Sequence, residues 1–399
     1  PMELQPIYRC AVGIDVHLAI LTVCVIDQSA GDTVQILTRE FRGFRRDRIA
    51  MAQWIAAFHP DTVIMESTGI YWKSPYAFLE REGIRALVVN AQHVKQIRGR
   101  KTDVMLGRSG LLRGSFIPPA DLRDLRHVSR YHQRTTAMRA AEKNRLVRIV
   151  GDAGIRLSAV VSDPHGTAAT AMIDCLLDGG TPDEALALAG RLHAPREEVR
   201  AALEGELSDE HRFVARTVRN HIRFLDQQLA DLAGRMLLGL KPHEAALNLL
   251  MTIPGIDHLA AARLLIEIGD DMTAFGSAGR LSKWCGVCPG NDESAGKRHS
   301  GRTTKANRYV RALLCEIAYA ASRTTSQFKS RFRDLVTRRG TKRAIIAIAH
   351  RLAVTVYVLL SRHEPYRDST VDYEALTVKR RAPRWIQQLK KQGLLPKAA

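Results

Sequence analysis

The sequence predicts an α/β domain followed by a longer α-helical region. Three observations carry this expectation. Short apolar runs, broken by turns of Asp, Gly and Ser, fill roughly the first hundred residues. The pattern changes to helical spacing after Pro118 and Pro119. Further on, apolar residues recur at spacings of three and four, as along one face of a helix.

The elements follow in order. "YRCAVGID" reads as a buried strand, and "AILTVCVID" and "TVQILTREF" as the next two. "RDRIAMAQWIAAF" has helical spacing, "DTVIMES" is a fourth strand, "KSPYAFLEREG" a helix and "IRALVVN" a fifth strand. Three strands followed by helix, strand, helix and strand resemble the ribonuclease H-like (RuvC-like) fold. There, three antiparallel strands are extended by strands that enter through right-handed crossovers.

Asp121 is the expected N-cap of a long basic helix reaching about Val150. From Ser158 to Glu210 the chain is rich in Ala, Leu and Glu, with breaks at "SDPHG" and "GGTPDE", and several short helices are expected. Val214, Val218, Ile222, Leu225, Leu229, Leu232 and Met236 then form a seam. It fits a coiled-coil hairpin or a dimerising helix, and equally an ordinary core-facing helix. In "LMTIPGIDHLAAARLLIEIGD", two apolar segments flank Pro254, Gly255 and Ile256. This is a helix-hairpin-helix-like element, or a plain helical hairpin with a Pro-Gly turn. Helix is expected from about Lys305 to Arg362, and a basic, mobile tail from Val378. The expected domains are residues 2–118, 119–245 and 246–377, with a tail at 378–399.

Lys and Arg total 60 against 41 Asp and Glu, a formal net charge of +19. Such an excess favours a polyanionic partner, because cations near phosphates gain affinity by releasing counterions. Charge alone does not separate DNA, RNA and an acidic membrane. No run reads as long enough to span a bilayer and no signal-peptide pattern opens the chain, so a cytoplasmic protein is expected. Pro1 before Met2 reads as a scar outside the fold. The six cysteines are scattered and read as reduced thiols. Cys285 and Cys288 form a lone C-x-x-C, short of the further ligands that zinc needs.

Asp15 ends the first strand and Glu66 the fourth, and these strands are parallel neighbours in a ribonuclease H-like sheet. Their carboxylates would then approach one metal site, and Asp103 is expected to start a helix crossing the same edge. Such acids hold Mg²⁺ in phosphodiester chemistry. The second candidate site is "CPGNDESAGKRHSGRTTKANRYVR". It surrounds Ser294 and Ser300 with Lys297, Arg298, Arg302, Lys305, Arg308 and Arg311. A serine hydroxyl attacks a phosphate only when developing charge is stabilised, and arginines supply that. A loop serine or helix cap remains the plainer reading of Ser294 from residues alone.

These segments, with "AVGIDVH", "VIMESTGIYW", "KTDV", "GLLRGSFIPP" and "TIPGI", resemble the DEDD transposases of the IS110 insertion-sequence family, relatives of Piv-type DNA invertases. The resemblance implies a RuvC-like domain joined through a coiled coil to a helical transposase domain. It implies bridge-RNA-guided strand exchange between donor and target DNA through a phosphoserine, with Mg²⁺ at the acids, by at least a dimer and up to a tetramer. It assigns Asp15, Glu66 and Asp103 to the first three acidic positions and Ser294 to the nucleophile. Lys297, Arg298, Arg302, Lys305 and Arg308 become nucleic-acid contacts. The family's fourth acid is absent: in "KTDVMLGRSGLLRG", Leu106 stands in its place, and the connection is shorter by about two helical turns. The expected function is therefore a transposase with impaired cleavage. The alternatives are a cleavage-deficient RNA- and DNA-binding relative, or a junction endonuclease using water.

Overall fold

The computed structural model describes residues 6–29, 31, 33–67, 69–90, 103–290, 292–294, 297–300, 303, 306–369, 373–392 and 394. At Asp103, at the hairpin strands 292–294 and 297–300 and at a few positions of the last helix, only the backbone is described. The chain divides into two compact units, Pro1–Ala120 and Asp121–Ala399.

The first unit is built on a five-stranded sheet of β1 (Cys10–Val16), β2 (Ile20–Asp27), β3 (Gln35–Arg42), β4 (Thr62–Glu66) and β5 (Ala86–Val89). The strand order is β3-β2-β1-β4-β5. β1 pairs antiparallel with β2, and β2 with β3, whereas β4 lies parallel to both β1 and β5. This is the order and direction expected of a ribonuclease H-like sheet. Side chains alternate between the two faces. Cys10, Val12, Ile14 and Val16 of β1 join Val63 and Met65 of β4 against α1 (Arg45–Ala56) and α2 (Lys73–Arg81). Ala11 and Ile26 meet Val104 on the opposite face. Ile64 and Val89 there meet Leu106 and Leu112.

The opposite face is crossed by α3 (Asp103–Arg108). Two glycines permit the close approach. A Cβ at Gly13 would come within 2.0 Å of Val104 Cγ2, and one at Gly107 within 1.8 Å of Ile64 Cδ1. Gly13 and Ile64 are register partners. The helix therefore passes from β1 to β4 at their level.

The second unit is helical apart from one hairpin. It begins with α4 (Ala120–Asp152), followed by the short α5 (Leu157–Val160), α6 (Thr167–Leu177), α7 (Pro182–Ala187) and α8 (Arg196–Leu203), and then by α9 (Asp209–Gly239). Asp121 lies in the first turn of α4, where its carboxylate reaches His243 Nε2 at 2.8 Å; Asp270 holds Nδ1 at 2.7 Å. Burial would lower the His243 imidazole pKa, but the two carboxylates outweigh it and raise it.

α4 and α9 run antiparallel in a constant register. Asp152 meets His211 at 3.2 Å, Glu142 meets His221 at 3.3 Å and Arg139 meets Asp226 at 2.7 Å. At the far end, Leu125 lies against Gly239. The seam of α9 is thus covered within the chain: Val218, Ile222, Leu225, Leu229 and Met236 are all buried. Val214 instead faces solvent, and Ala215 takes its place in the interior. Replacing Leu225 by Asp therefore acts on folding before it acts on any association.

The "TIPGID" turn joins α10 (Glu244–Met251) to α11 (His258–Ile268). Gly255 adopts φ +88°, and a Cβ there would come within 2.5 Å of the Ala321 backbone nitrogen. Asp257 caps α11 by accepting from Ala260 N–H at 2.7 Å. A carboxylate at that cap repels a phosphate, so packing and self-capping account for this turn.

The chain continues through α12 (Ala278–Trp284), the hairpin strands β6 (Asp292–Ser294) and β7 (Lys297–Ser300), α13 (Arg308–Ala321), α14 (Gln327–Arg339) and α15 (Thr341–Arg362). Contrary to the sequence expectation, α15 is long and apolar enough to cross a membrane by length and composition. Its Ala344, Ile348, Leu352 and Val356 are buried, and it packs on α13 and α14, as the core helix of a folded unit does. The expected mobile tail also differs. Tyr373–Lys391 forms α16, which packs on α14 and joins it through Arg381 and Asp334 at 3.1 Å.

Candidate active site

The parallel pairing of β1 and β4 runs to Ile14 and Met65, so the next residues, Asp15, last but one of β1, and Glu66, last of β4, come side by side. By strand alternation both belong to the face that α3 covers, one pleat beyond Gly13 and Ile64. Asp15 is 68% exposed, and its carboxylate lies 3.3 Å from His17 Nε2. Glu66 is half-buried. Asp103 is the first residue of α3, immediately before the Val104 that rests on Gly13. The fold thus brings the backbones of all three predicted acids to one edge of the sheet.

Leu106 stands where the family's fourth acid is expected. It is 2% exposed and packs with Ile64, Val89 and Leu112 under α3. It is a core side chain. Two carboxylates at adjoining strand ends suit a hard divalent cation, which prefers oxygen ligands. Among the described residues, no group of three His, Cys, Asp or Glu side chains gathers in metal-ligating geometry. The described donors therefore fit part of a metal site.

Ser294 is the last residue of β6 and stands opposite Lys297, the first of β7. Glu293 stands opposite Arg298, and Ser300 opposite Asp292. The two strands thus pair as a hairpin, with Ser294 the last residue of its first strand. Arg302 and Lys305 lie outside the described residues. At the base, Thr303 bridges to Pro289 and accepts from Arg311 Nη1 at 3.4 Å. Cys285 and Cys288 precede the hairpin, and burial pushes both thiols up.

Arg308 opens α13, whose N-terminus is held from several sides. Asn307 caps it, accepting from Tyr309 N–H at 3.0 Å and Val310 N–H at 3.2 Å. The Asn307 side chain donates to Glu267 Oε2 at 2.9 Å, and its backbone N–H donates to Trp284 O at 3.2 Å. Glu267, only 2% exposed, also accepts two hydrogen bonds from Arg130, at 2.7 and 3.0 Å, and lies 3.3 Å from Arg126 Nε. Burial would raise the Glu267 carboxyl pKa, but the Arg130 hydrogen bonds and both arginine charges outweigh it and hold it below the usual range.

Tyr309 lies against the same arginines. Its ring carries Arg130 at 4.5 Å and Arg308 at 5.0 Å, and its oxygen accepts from Arg308 Nη2 at 3.1 Å. That hydrogen bond, against opposing burial and with a second from Arg134, lowers the phenol pKa. Sequence reading missed Glu267, Asn307, Tyr309 and the α4 arginines. Two signals pointed to them: Arg123, Arg126, Arg130 and Arg134 recur on one helical face, and Glu267 is the single acid in the apolar run "LLIEI".

A five-stranded sheet in this order, with acids near the ends of adjacent parallel strands, places the first unit in the ribonuclease H-like class. The DEDD-type transposase profile of the IS110 group matches residues 12–152, and that of the transposase IS116/IS110/IS902 family matches residues 247–333. The chain belongs to the IS110 family of insertion-sequence transposases. It is 28% identical over 161 residues to the insertion element IS900 uncharacterized 42 kDa protein of Mycobacterium paratuberculosis, a match covering 39% of each chain. It is 31% identical over 121 residues to the transposase for insertion sequence element IS1111A of Coxiella burnetii (strain RSA 493 / Nine Mile phase I), covering 29% of this chain and 33% of that one. The chain thus spans about two fifths and one third of the relatives it matches. A DEDD-type domain implies a divalent metal ion.

Proposed function

We propose that the chain is a DNA transposase that cuts and rejoins the strands of its insertion sequence through a phosphoserine at Ser294. The observation that carries this reading is the side-by-side position of Asp15 and Glu66 near the ends of β1 and β4, on the face where Asp103 begins α3. These three residues would hold a divalent ion, Mg²⁺ being the expected one, and the ion would supply positive charge against a phosphate. In the step assigned to Ser294, its Oγ forms a bond to phosphorus. The bond from phosphorus to a sugar oxygen breaks, and the proton ends on the released hydroxyl. Attack by a hydroxyl of the partner strand reverses the step and joins the new pair. Lys297, Arg298, Arg302, Lys305 and Arg308 would spread the charge of the transition state.

The partners of this reading are donor and target DNA and a guide (bridge) RNA, in a cytoplasmic homo-oligomer. The net charge of +19 supports a polyanionic partner. The α4–α9 pair supports a coiled-coil reading of the middle region, formed inside one chain. The packed Gly255 turn gives the helix-hairpin-helix reading a structural rather than a phosphate-binding role.

A second reading has one specific observation in its favour. With Leu106 in the core, the position of the fourth family acid offers no carboxylate, which favours a chain that binds nucleic acid and cleaves poorly. Cleavage of a labelled insertion-sequence end in Mg²⁺ or Mn²⁺ separates the two. Metal-dependent cleavage that is lost in Asp15→Asn and Glu66→Gln supports the first. Binding without cleavage in either metal supports the second.

A further inference from the structure

Arg126, Arg130 and Arg134 lie four residues apart along one face of α4, so their like charges repel. Glu267 serves the first two from beneath. Among the described residues, no carboxylate pairs with Arg134 or Arg308. Tyr309 stands in that place. Its ring holds Arg130 and Arg308 by cation–π contact and its oxygen accepts from Arg308, and Arg134 is near enough to help lower the phenol pKa. A neutral phenol fixes guanidiniums without cancelling their charge. Glu267 meets the charge of Arg130, and Arg134 and Arg308 remain as cations without a carboxylate partner among the described residues.

We infer that Arg134 and Arg308 form a clamp for a nucleic-acid phosphodiester, with Tyr309, backed by the Glu267-bound Arg130, as the residue that positions them. The inference rests on the transposase reading and adds to it a contact from α4, far in sequence from the serine hairpin. Guanidinium forks match phosphate oxygens two at a time, which an ammonium does not. Asn307 ties the clamp to Glu267 and Trp284, and Arg311 ties α13 to Thr303 at the hairpin base. The clamp and the hairpin base thus share one frame. The phosphate could come from DNA or from RNA.

The test uses the full chain, with a labelled DNA duplex of about 20 base pairs and a labelled RNA hairpin titrated at several salt concentrations. Arg134→Gln changes an exposed side chain. It is expected to weaken binding about tenfold and to lower the slope of log K against log salt by about one. Tyr309→Ala is expected to weaken binding about tenfold with little change of slope, and Tyr309→Phe to recover most of the loss, because the ring remains. Arg145→Gln, on the same helix but paired with Glu142 at 2.6 Å, is expected to change neither. Loss in one arm only identifies the backbone that the clamp takes. Wild-type affinity and slope in both Arg134→Gln and Tyr309→Ala would overturn the clamp. If Tyr309→Ala does not fold, Arg134→Gln decides alone. A flat salt dependence in the unmodified chain would overturn the nucleic-acid reading itself.

Discussion

Val104 rests on Gly13 so closely that a methyl group at Gly13 would lie 2.0 Å from Val104 Cγ2. This contact sets the height of α3 above β1, one pleat before Asp15, and α3 begins with Asp103. Gly13→Ala is therefore expected to lift α3. Overpacking of this kind costs about 1–3 kcal/mol. A displacement of about 1 Å among reacting groups costs on the order of a hundredfold in rate. Thermal melting and cleavage of a labelled element end check both effects. Adding Val104→Ala should recover part of each loss, and Gly13→Ala with unaltered stability and rate would show that the contact is not tight.

Leu106→Asp is the obvious attempt to restore the missing family acid, and the fold argues that it fails. The side chain sits among Ile64, Val89 and Leu112, where a carboxylate would exchange water for apolar neighbours. The loss of the leucine's packing adds to that cost. The variant is expected to lose about 3 kcal/mol or more of stability and to gain no cleavage. Chemical denaturation measures the first and an endpoint cleavage assay the second. Gained cleavage at undiminished stability would mean that the residue can turn toward the acids.

Glu267 holds Arg126, Arg130 and the cap of α13 together, so removing its charge leaves two arginines without their buried partner. Breaking a buried pair from one side typically costs about 3–5 kcal/mol. Glu267→Gln is expected to melt well below the unmodified chain at neutral pH. The folded carboxyl is held below its unfolded value of about 4.3, so its stabilisation is complete above that value and drains as pH falls through the lower folded value. The difference in melting temperature should therefore narrow below about pH 4. A difference that stays constant to lower pH would assign the effect to packing alone.

The sheet was legible in the sequence because each strand carries its own apolar run between turn residues, and the acids fell at strand ends that the strand order makes neighbours. Ser294 stood out through its basic surroundings. What the sequence did not disclose depends on contacts between distant segments. Leu106 read as a vacancy in a motif, and only the path of α3 across Ile64 makes it core. The α9 seam could not name its own partner; the register with α4 does. The network around Glu267 joins residues from positions 126 to 309, and no local pattern links them. The tail read as mobile from its charge, yet Arg381 finds Asp334 and its helix packs on α14.

The proposed phosphoserine requires that Ser294 become bonded to DNA. The direct measurement incubates the chain with a labelled element end and Mg²⁺ or Mn²⁺, with and without the proposed guide RNA, denatures the mixture and looks for label that migrates with protein. Peptide mapping then locates the attachment. A covalent adduct is expected on the peptide containing Ser294, absent in Ser294→Ala and unchanged in Ser300→Ala. Strand exchange that survives in Ser294→Ala, or an adduct on another residue, would contradict it.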